Sequence, residues 1–244
     1  MNGIFELFQI PFSTLSQKQT LGFLIKESRK PKASSVILCN AHVVVESEWD
    51  QTLKELLQKA TLVMSDGTPI AWLLQAKGQK NAQRYSGVDL MEDIFNEDPQ
   101  GKHFFLGSTP EVIEKIKIKF KGQLAGTYSP PFAKEFSEEE KQKQLRLVQE
   151  SGAHYVWVGL GAPKQERYVV QMAQHASQGV WFAVGAAFDF YAGVKPRAPR
   201  IVQKIGMEWA FRMMSEPRRL TKRYFSTNPV FIKLALQELL FSKN

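Results

Sequence analysis

Short apolar runs bounded by Gly, Asp, Asn or Ser alternate with longer segments of helical periodicity along most of this 244-residue chain. No other feature limits the possible folds so strongly. The strand candidates are Ser35–Leu38, Thr61–Met64, His103–Leu106, Gln123–Thr127, His154–Val158 and Val180–Val184. Most are apolar throughout, as strands covered on both faces must be. The helix candidates between them are Gln17–Ser28, Glu48–Lys59, Thr68–Lys77, Val88–Asn96, Glu111–Phe120, Glu138–Glu150 and Lys164–Ser177. Thr109-Pro110 and Ser137 are helix-start signals. This alternation predicts an α/β fold with a Rossmann-like, mostly parallel sheet and helices on both faces. Ligands of such sheets bind beyond the carboxyl ends of the strands, where the strand order reverses. Chemistry is therefore expected in the residues that directly follow strands.

The pattern changes at Pro196 and Pro199. Residues 1–195 are expected to form the α/β unit and 196–244 a helical appendage with helices at Ile201–Ser215, Pro217–Phe225 and Val230–Phe241. Charge divides at nearly the same place. The chain carries a formal +8, and residues 195–244 hold eleven Lys or Arg against three acids, whereas the first 194 residues are balanced. A neutral body with a basic tail suggests an anionic partner: nucleic acid, acidic lipid or a phosphorylated substrate. A solvated helical face reads the same way. With one cysteine, Cys39, the chain forms no internal disulfide, which fits a reducing compartment. The start, MNGIFELFQIPFSTLS, has neither the basic region nor the apolar core of a signal peptide. No apolar run approaches the roughly 18 residues of a spanning helix.

Three strand-following segments stand out. In MSDGTPI, Asp66 ends a strand, Gly67 permits a sharp turn and Pro69 falls in the first helical turn. A carboxylate there can act as a general base or can merely cap the helix. In VGLGAPKQE, a buried strand ends in glycines before a helix that begins with Lys164, Gln165 and Glu166. A glycine turn at a helix N-terminus can bind phosphate, but neither G-x-G-x-x-G nor a P-loop is present. In VGAAFDFYAGVKPRAPR, small residues allow close approach of a ligand, and Asp189 is a catalytic, sugar-binding or structural carboxylate. No D-x-D triplet occurs, and His42, His103, His154 and His175 lack metal-ligand spacing. The hydrolase elbow G-x-S-x-G is also missing.

Together these segments resemble the WecG/TagA/CpsF family of glycosyltransferases. The matching pieces run in order: CNAH, SDGTPI, RYSGVDL, VGLGAPKQE, VGAAFDFYAG with RAPR, and MEWAFRMMSEPRRLTKRY, spanning Ser35 to Tyr224. The resemblance implies an inverting transfer of a sugar from a UDP-sugar to a polyprenyl-diphosphate-linked acceptor such as an undecaprenyl diphosphate sugar. It implies no metal and no cofactor. The pathways are those of teichoic acid, capsule, exopolysaccharide and related surface polymers, and the activity is N-acetylmannosaminyltransferase-like. The location it implies is cytoplasmic, peripheral on the inner face of the membrane, with no nucleic-acid partner and a possible homo-oligomer.

Carried over by position, Asp66 matches the proposed general base. Arg84 precedes the S-G-V-D motif and would bind the diphosphate or sugar. Gln165 would orient the donor sugar, Asn40 would line the pocket, and Lys164 and Asp189, in the adjoining matched motifs, would bind substrate. Many family members have Thr two residues before the asparagine, where this chain has Leu38. Without a metal, the departing UDP needs arginines, which bind phosphate bidentately and stay charged. The candidates are Arg218, Arg219, Lys222 and Arg223, with Arg219 and Arg223 the best placed to reach inward. The rest of the cluster, with the apolar stretch VFIKLALQELLF, would meet the membrane surface or dock on the body. Two other readings compete: a nucleic-acid-binding α/β protein using the basic tail, and an inactive polysaccharide-assembly subunit.

Overall fold

The computed structural model describes residues 3–204 and 206–241. An eight-stranded sheet runs in the order β1-β2-β4-β3-β8-β7-β5-β6. Its strands are β1 (Ile4–Leu7), β2 (Ile10–Ser13), β3 (Ser34–Cys39), β4 (Leu62–Ser65), β5 (Lys102–Gly107), β6 (Gln123–Tyr128), β7 (Tyr155–Gly159) and β8 (Val180–Ala183). Only the β1–β2 hairpin is antiparallel. The chain builds β3 and β4, crosses to the far side for β5 and β6, and returns through β7 and β8. The direction of winding therefore changes between β3 and β8, and that is where the crevice opens.

The helices are α1 (Gln17–Glu27), α2 (Ala41–Trp49), α3 (Gln51–Lys59), α4 (Thr68–Ala76), α5 (Gly87–Glu97), α6 (Pro110–Lys119), α7 (Glu138–Ser151), α8 (Lys164–His175), α9 (Ala187–Tyr191), α10 (Arg200–Lys204), α11 (Glu208–Ser215) and α12 (Pro217–Phe241). Each strand divides its side chains between two cores, as the two-residue period requires. Ile37, Val63, Val156 and Trp181 face one cluster, under α2, α3, α4, α7, α8 and part of α12. Val36, Leu62, Trp157 and Phe182 face the other, under α1, α5, α6 and α9. Strands buried on both faces explain the continuous apolar runs in the sequence.

Three differences from the sequence-based expectation have physical causes. First, the N-terminal hairpin carries no turn signal. Its two-residue turn is Phe8-Gln9, both left-handed (φ 58° and 60°), where Asn-Gly is the usual choice. Tertiary contacts hold it: the Phe8 N–H donates to Glu238 Oε1 at 2.7 Å and the Phe8 ring packs on Phe231. Second, Glu48–Lys59 is interrupted at Asp50, whose side chain caps α3 by accepting from the Leu53 N–H. Third, the tail has a break at Gly206 (φ 74°) and then one 25-residue helix through Pro229. Pro229 lies on the exposed side of α12, where water can reach the carbonyl it leaves unbonded. The buried neighbours Thr227 and Phe231 anchor the helix on either side.

Candidate active site

Beyond the carboxyl ends of β3, β4 and β8 lies a cleft of about 410 Å³. Asn40, Asp66, Arg84 and Gln165 line it, together with Arg212 and Arg223 from the C-terminal helices. Asn40 ends β3 and caps α2: its Oδ1 accepts from the backbone N–H groups of His42 and Val43. That leaves its amide N–H₂ free to hold the neighbouring Asp66 carboxylate. Asp66 follows β4, and its N–H continues the strand pairing by donating to Cys39 O at 2.9 Å. Gly67, not Asp66, is the N-cap of α4, so the carboxylate is not used as a cap.

Arg84 reaches the same place from the segment before α5. The Tyr85 N–H bonds Ser65 O, and Arg84 Nε donates to Asp66 O at 3.3 Å. The Arg84 guanidinium also forms an ion pair with Glu208 of α11. Burial pushes the Asp66 carboxyl up to about 6, the Arg84 and Arg212 guanidiniums oppose that rise, and Glu208 adds to it. Asp66 is thus ionised at neutral pH yet basic enough to take a proton.

Gln165 is 5% exposed in the first turn of α8, with its amide toward Gly161 and Gly185. Leu38, 3% exposed, gives this wall of the cleft an apolar face. His42 stands in the first turn of α2; burial and the Arg223 cation hold it down to about 3, so the ring is neutral. Cys39 is buried behind the cleft and its thiol is pushed up, by burial first and then by Glu166 and Asp66.

Two predicted residues lie elsewhere. Lys164 Nζ donates to Ala133 O at 2.6 Å and sits over the Phe136 ring, away from the cleft lining. Asp189 of α9 pairs with Lys195, which also bridges to Glu216, so Lys195 ties α9 to the junction of α11 and α12. Arg218 and Lys222 are exposed, and the side chain of Arg219 lies outside the described residues. Arg212, Glu208 and Trp209 of the matched MEWAFRMMSEPRRLTKRY segment, and His42, carry no site role in the sequence reading, yet all line the cleft. A signal existed: Glu208 and Arg212 are four apart and share a helix face. The distant motifs also meet, since Arg197 of RAPR bonds Asp89 Oδ2 at 2.6 Å and Ser86 Oγ at 3.1 Å in the S-G-V-D segment. Among the described residues no group of three or more His, Cys, Asp or Glu is arranged to hold a metal ion.

Fold and cleft together define a Rossmann-like α/β protein with a carboxyl group and several arginines converging beyond its strand ends. The model of the glycosyl transferase WecG/TagA/CpsF family matches residues 5–244. The chain belongs to that family and is a glycosyltransferase.

Proposed function

We propose that this chain is an inverting, metal-independent glycosyltransferase that moves a hexose, N-acetylmannosamine in the first instance, from UDP to a polyprenyl-diphosphate-linked sugar during surface polysaccharide synthesis. The observation that carries this reading is the convergence of one raised-pKa carboxyl group, Asp66, with Arg84, Arg212 and Arg223 in one cleft. The acceptor hydroxyl oxygen attacks the anomeric carbon from the face opposite UDP. Asp66 takes the hydroxyl proton, the bond from the anomeric carbon to the diphosphate oxygen breaks, and UDP leaves with the electron pair.

Charge accounting favours an anionic leaving group. Three guanidiniums face Asp66 and Glu208, leaving one net positive charge in the cleft. Arg84 binds the diphosphate or sugar, Arg212, Arg223 and Arg219 of the appendage neutralise departing UDP, and Gln165 orients the sugar. Asn40 lines the pocket and steadies Asp66. The appendage, residues 196–244, completes the site and brings it to the inner face of the cytoplasmic membrane. Exposed Phe225, Ile232, Leu236 and Leu240 on α12 suit a lipid interface. Among the described residues no helix is long and apolar enough to cross a membrane.

The test is UDP release by the purified chain across a panel of UDP-sugars, with a short-chain polyprenyl-diphosphate sugar as acceptor and EDTA present. The expected result is acceptor-dependent release with one donor that EDTA leaves intact and Asp66→Ala abolishes. Release that survives Asp66→Ala would remove the base from the mechanism. Release that EDTA stops would remove metal independence. No acceptor-dependent release with any donor would count against the reading, and salt-sensitive DNA or RNA binding would then favour the basic tail as a nucleic-acid surface.

A further inference from the structure

Gln165 orients the donor sugar in the proposed transfer, and the role of its neighbour Glu166 rests on that assignment. A carboxamide presents opposite chemistry in its two orientations, so a glutamine that orients a ligand must itself be prevented from flipping. Two contacts do this. Gln165 Oε1 accepts from the backbone N–H of Gly161 at 3.1 Å, and Nε2 donates to Glu166 Oε1 at 2.9 Å. A flipped amide would set N–H against N–H at one end and oxygen against oxygen at the other. Gly185 leaves room for the amide to sit there: a β-carbon at that position would lie 3.1 Å from Nε2 and 3.2 Å from Oε1.

Glu166 is an unusual partner for this task. It is 1% exposed and does not line the cleft. Its Oε2 is buried without a hydrogen-bond partner among the described residues. An ionised carboxylate so placed would be costly. Burial pushes the group up to about 7; the hydrogen bond from Gln165, the group's own backbone N–H and Arg223 of α12 oppose the rise, and Asp66 adds to it. A proton on Oε2 leaves Oε1 as a carbonyl, which still accepts from Gln165. Near pH 7 the group divides between acid and carboxylate, and its acid form places no second negative charge near Asp66.

We propose that Glu166 is a positioning residue for the transfer reaction: it acts through Gln165, locking the carboxamide so that the second Nε2 hydrogen and the second Oε1 lone pair face the donor sugar. Gly161, Gln165 and Glu166 thus form one chain of hydrogen bonds running from a cleft-lining turn into the core.

The test uses the full chain carrying Glu166→Leu, Glu166→Gln, Gln165→Ala and the Gln165→Ala/Glu166→Leu pair. Melting temperature, donor KM and kcat are measured for each by UDP release. Glu166→Leu is expected to melt at or above the wild-type temperature, because it removes a buried unsatisfied oxygen. Its kcat/KM should nevertheless fall about tenfold, the loss expected for one buried hydrogen bond. Glu166→Gln keeps an acceptor and should recover most of that loss. In the Gln165→Ala background, Glu166→Leu should change nothing further. The proposal is overturned if Glu166→Leu turns over like wild type while Gln165→Ala is slow, or if the two effects multiply. If Gln165→Ala is itself as fast as wild type, the donor role of Gln165 falls and the proposal falls with it. Should Glu166→Leu fail to melt cooperatively, Glu166→Met, which matches glutamate in length, takes its place in the same cycle.

Discussion

At the residue scale, Asp66 does what neither its type nor its neighbours in sequence would require. An exposed aspartate after a strand would be a weak base, but burial lifts this one to about 6 while Arg84 and Arg212 keep it ionised at neutral pH. The proposed base must be unprotonated to work, so kcat/KM should decline on the acid side with an apparent pKa near 6. A pH–rate profile checks this, and Asp66→Asn should lower kcat by about 10²–10⁴-fold. Glu166 gives a stability prediction with the opposite emphasis. Its folded pKa, about 7, lies above the usual 4.5, so the folded state binds the extra proton. Relative to Glu166→Gln, wild-type stability should rise as pH falls from about 8 toward about 5, which urea melts at several pH values would show. Asp66 itself was legible as a strand-end carboxylate, whereas its base-or-cap ambiguity was not resolvable there. The placement of Gly67 as the α4 cap removes the capping role. Glu166 looked like the third residue of an ordinary helix, because nothing local indicates that its side chain turns into the core.

At the scale of elements, the C-terminal helices decide which cations reach the cleft. Basic residues were legible as a cluster, but the face each one presents was not, because a helix exposes or buries a residue according to what it packs on. Arg212 of α11 lines the cleft and stacks on Phe190, while Arg218 at the start of α12 is exposed. Arg212→Ala should therefore weaken UDP binding about 10–100-fold, the range for a charge-assisted bond to phosphate, and Arg218→Ala should leave it nearly unchanged. Isothermal titration with UDP distinguishes them. By the same reasoning Lys164→Ala should leave donor KM within about threefold, since that ammonium is occupied by Ala133 O and the Phe136 ring. The continuity of α12 was invisible for a related reason. Asn228-Pro229 is a sound helix start locally, and only the buried Thr227 and Phe231 on either side carry the helix through it.

At the scale of the whole molecule, the cleft belongs to no single stretch of chain. Its walls come from residues around β3 and β4, from the turns after β7 and β8, and from α11 and α12. Ending the chain at residue 199 would remove Arg212 and Arg223, uncover the core around Phe8 and leave the hairpin turn without Glu238. Such a truncation should lose acceptor-dependent UDP release and bind more of an apolar dye than the full chain. The sequence alone determined the layered α/β architecture, because residues buried on both faces of a parallel strand must be apolar and crossovers must be helical. It also determined the order of the strand-end motifs and their family resemblance. The tertiary structure alone decided where side chains far apart in sequence converge: Arg84 against Glu208, Arg197 against Asp89, Phe8 against Phe231. The physical reason is range. Periodicity and turn chemistry act over a few residues and are written locally, whereas burial, charge pairing and pKa depend on distances that exist only once the chain has closed on itself.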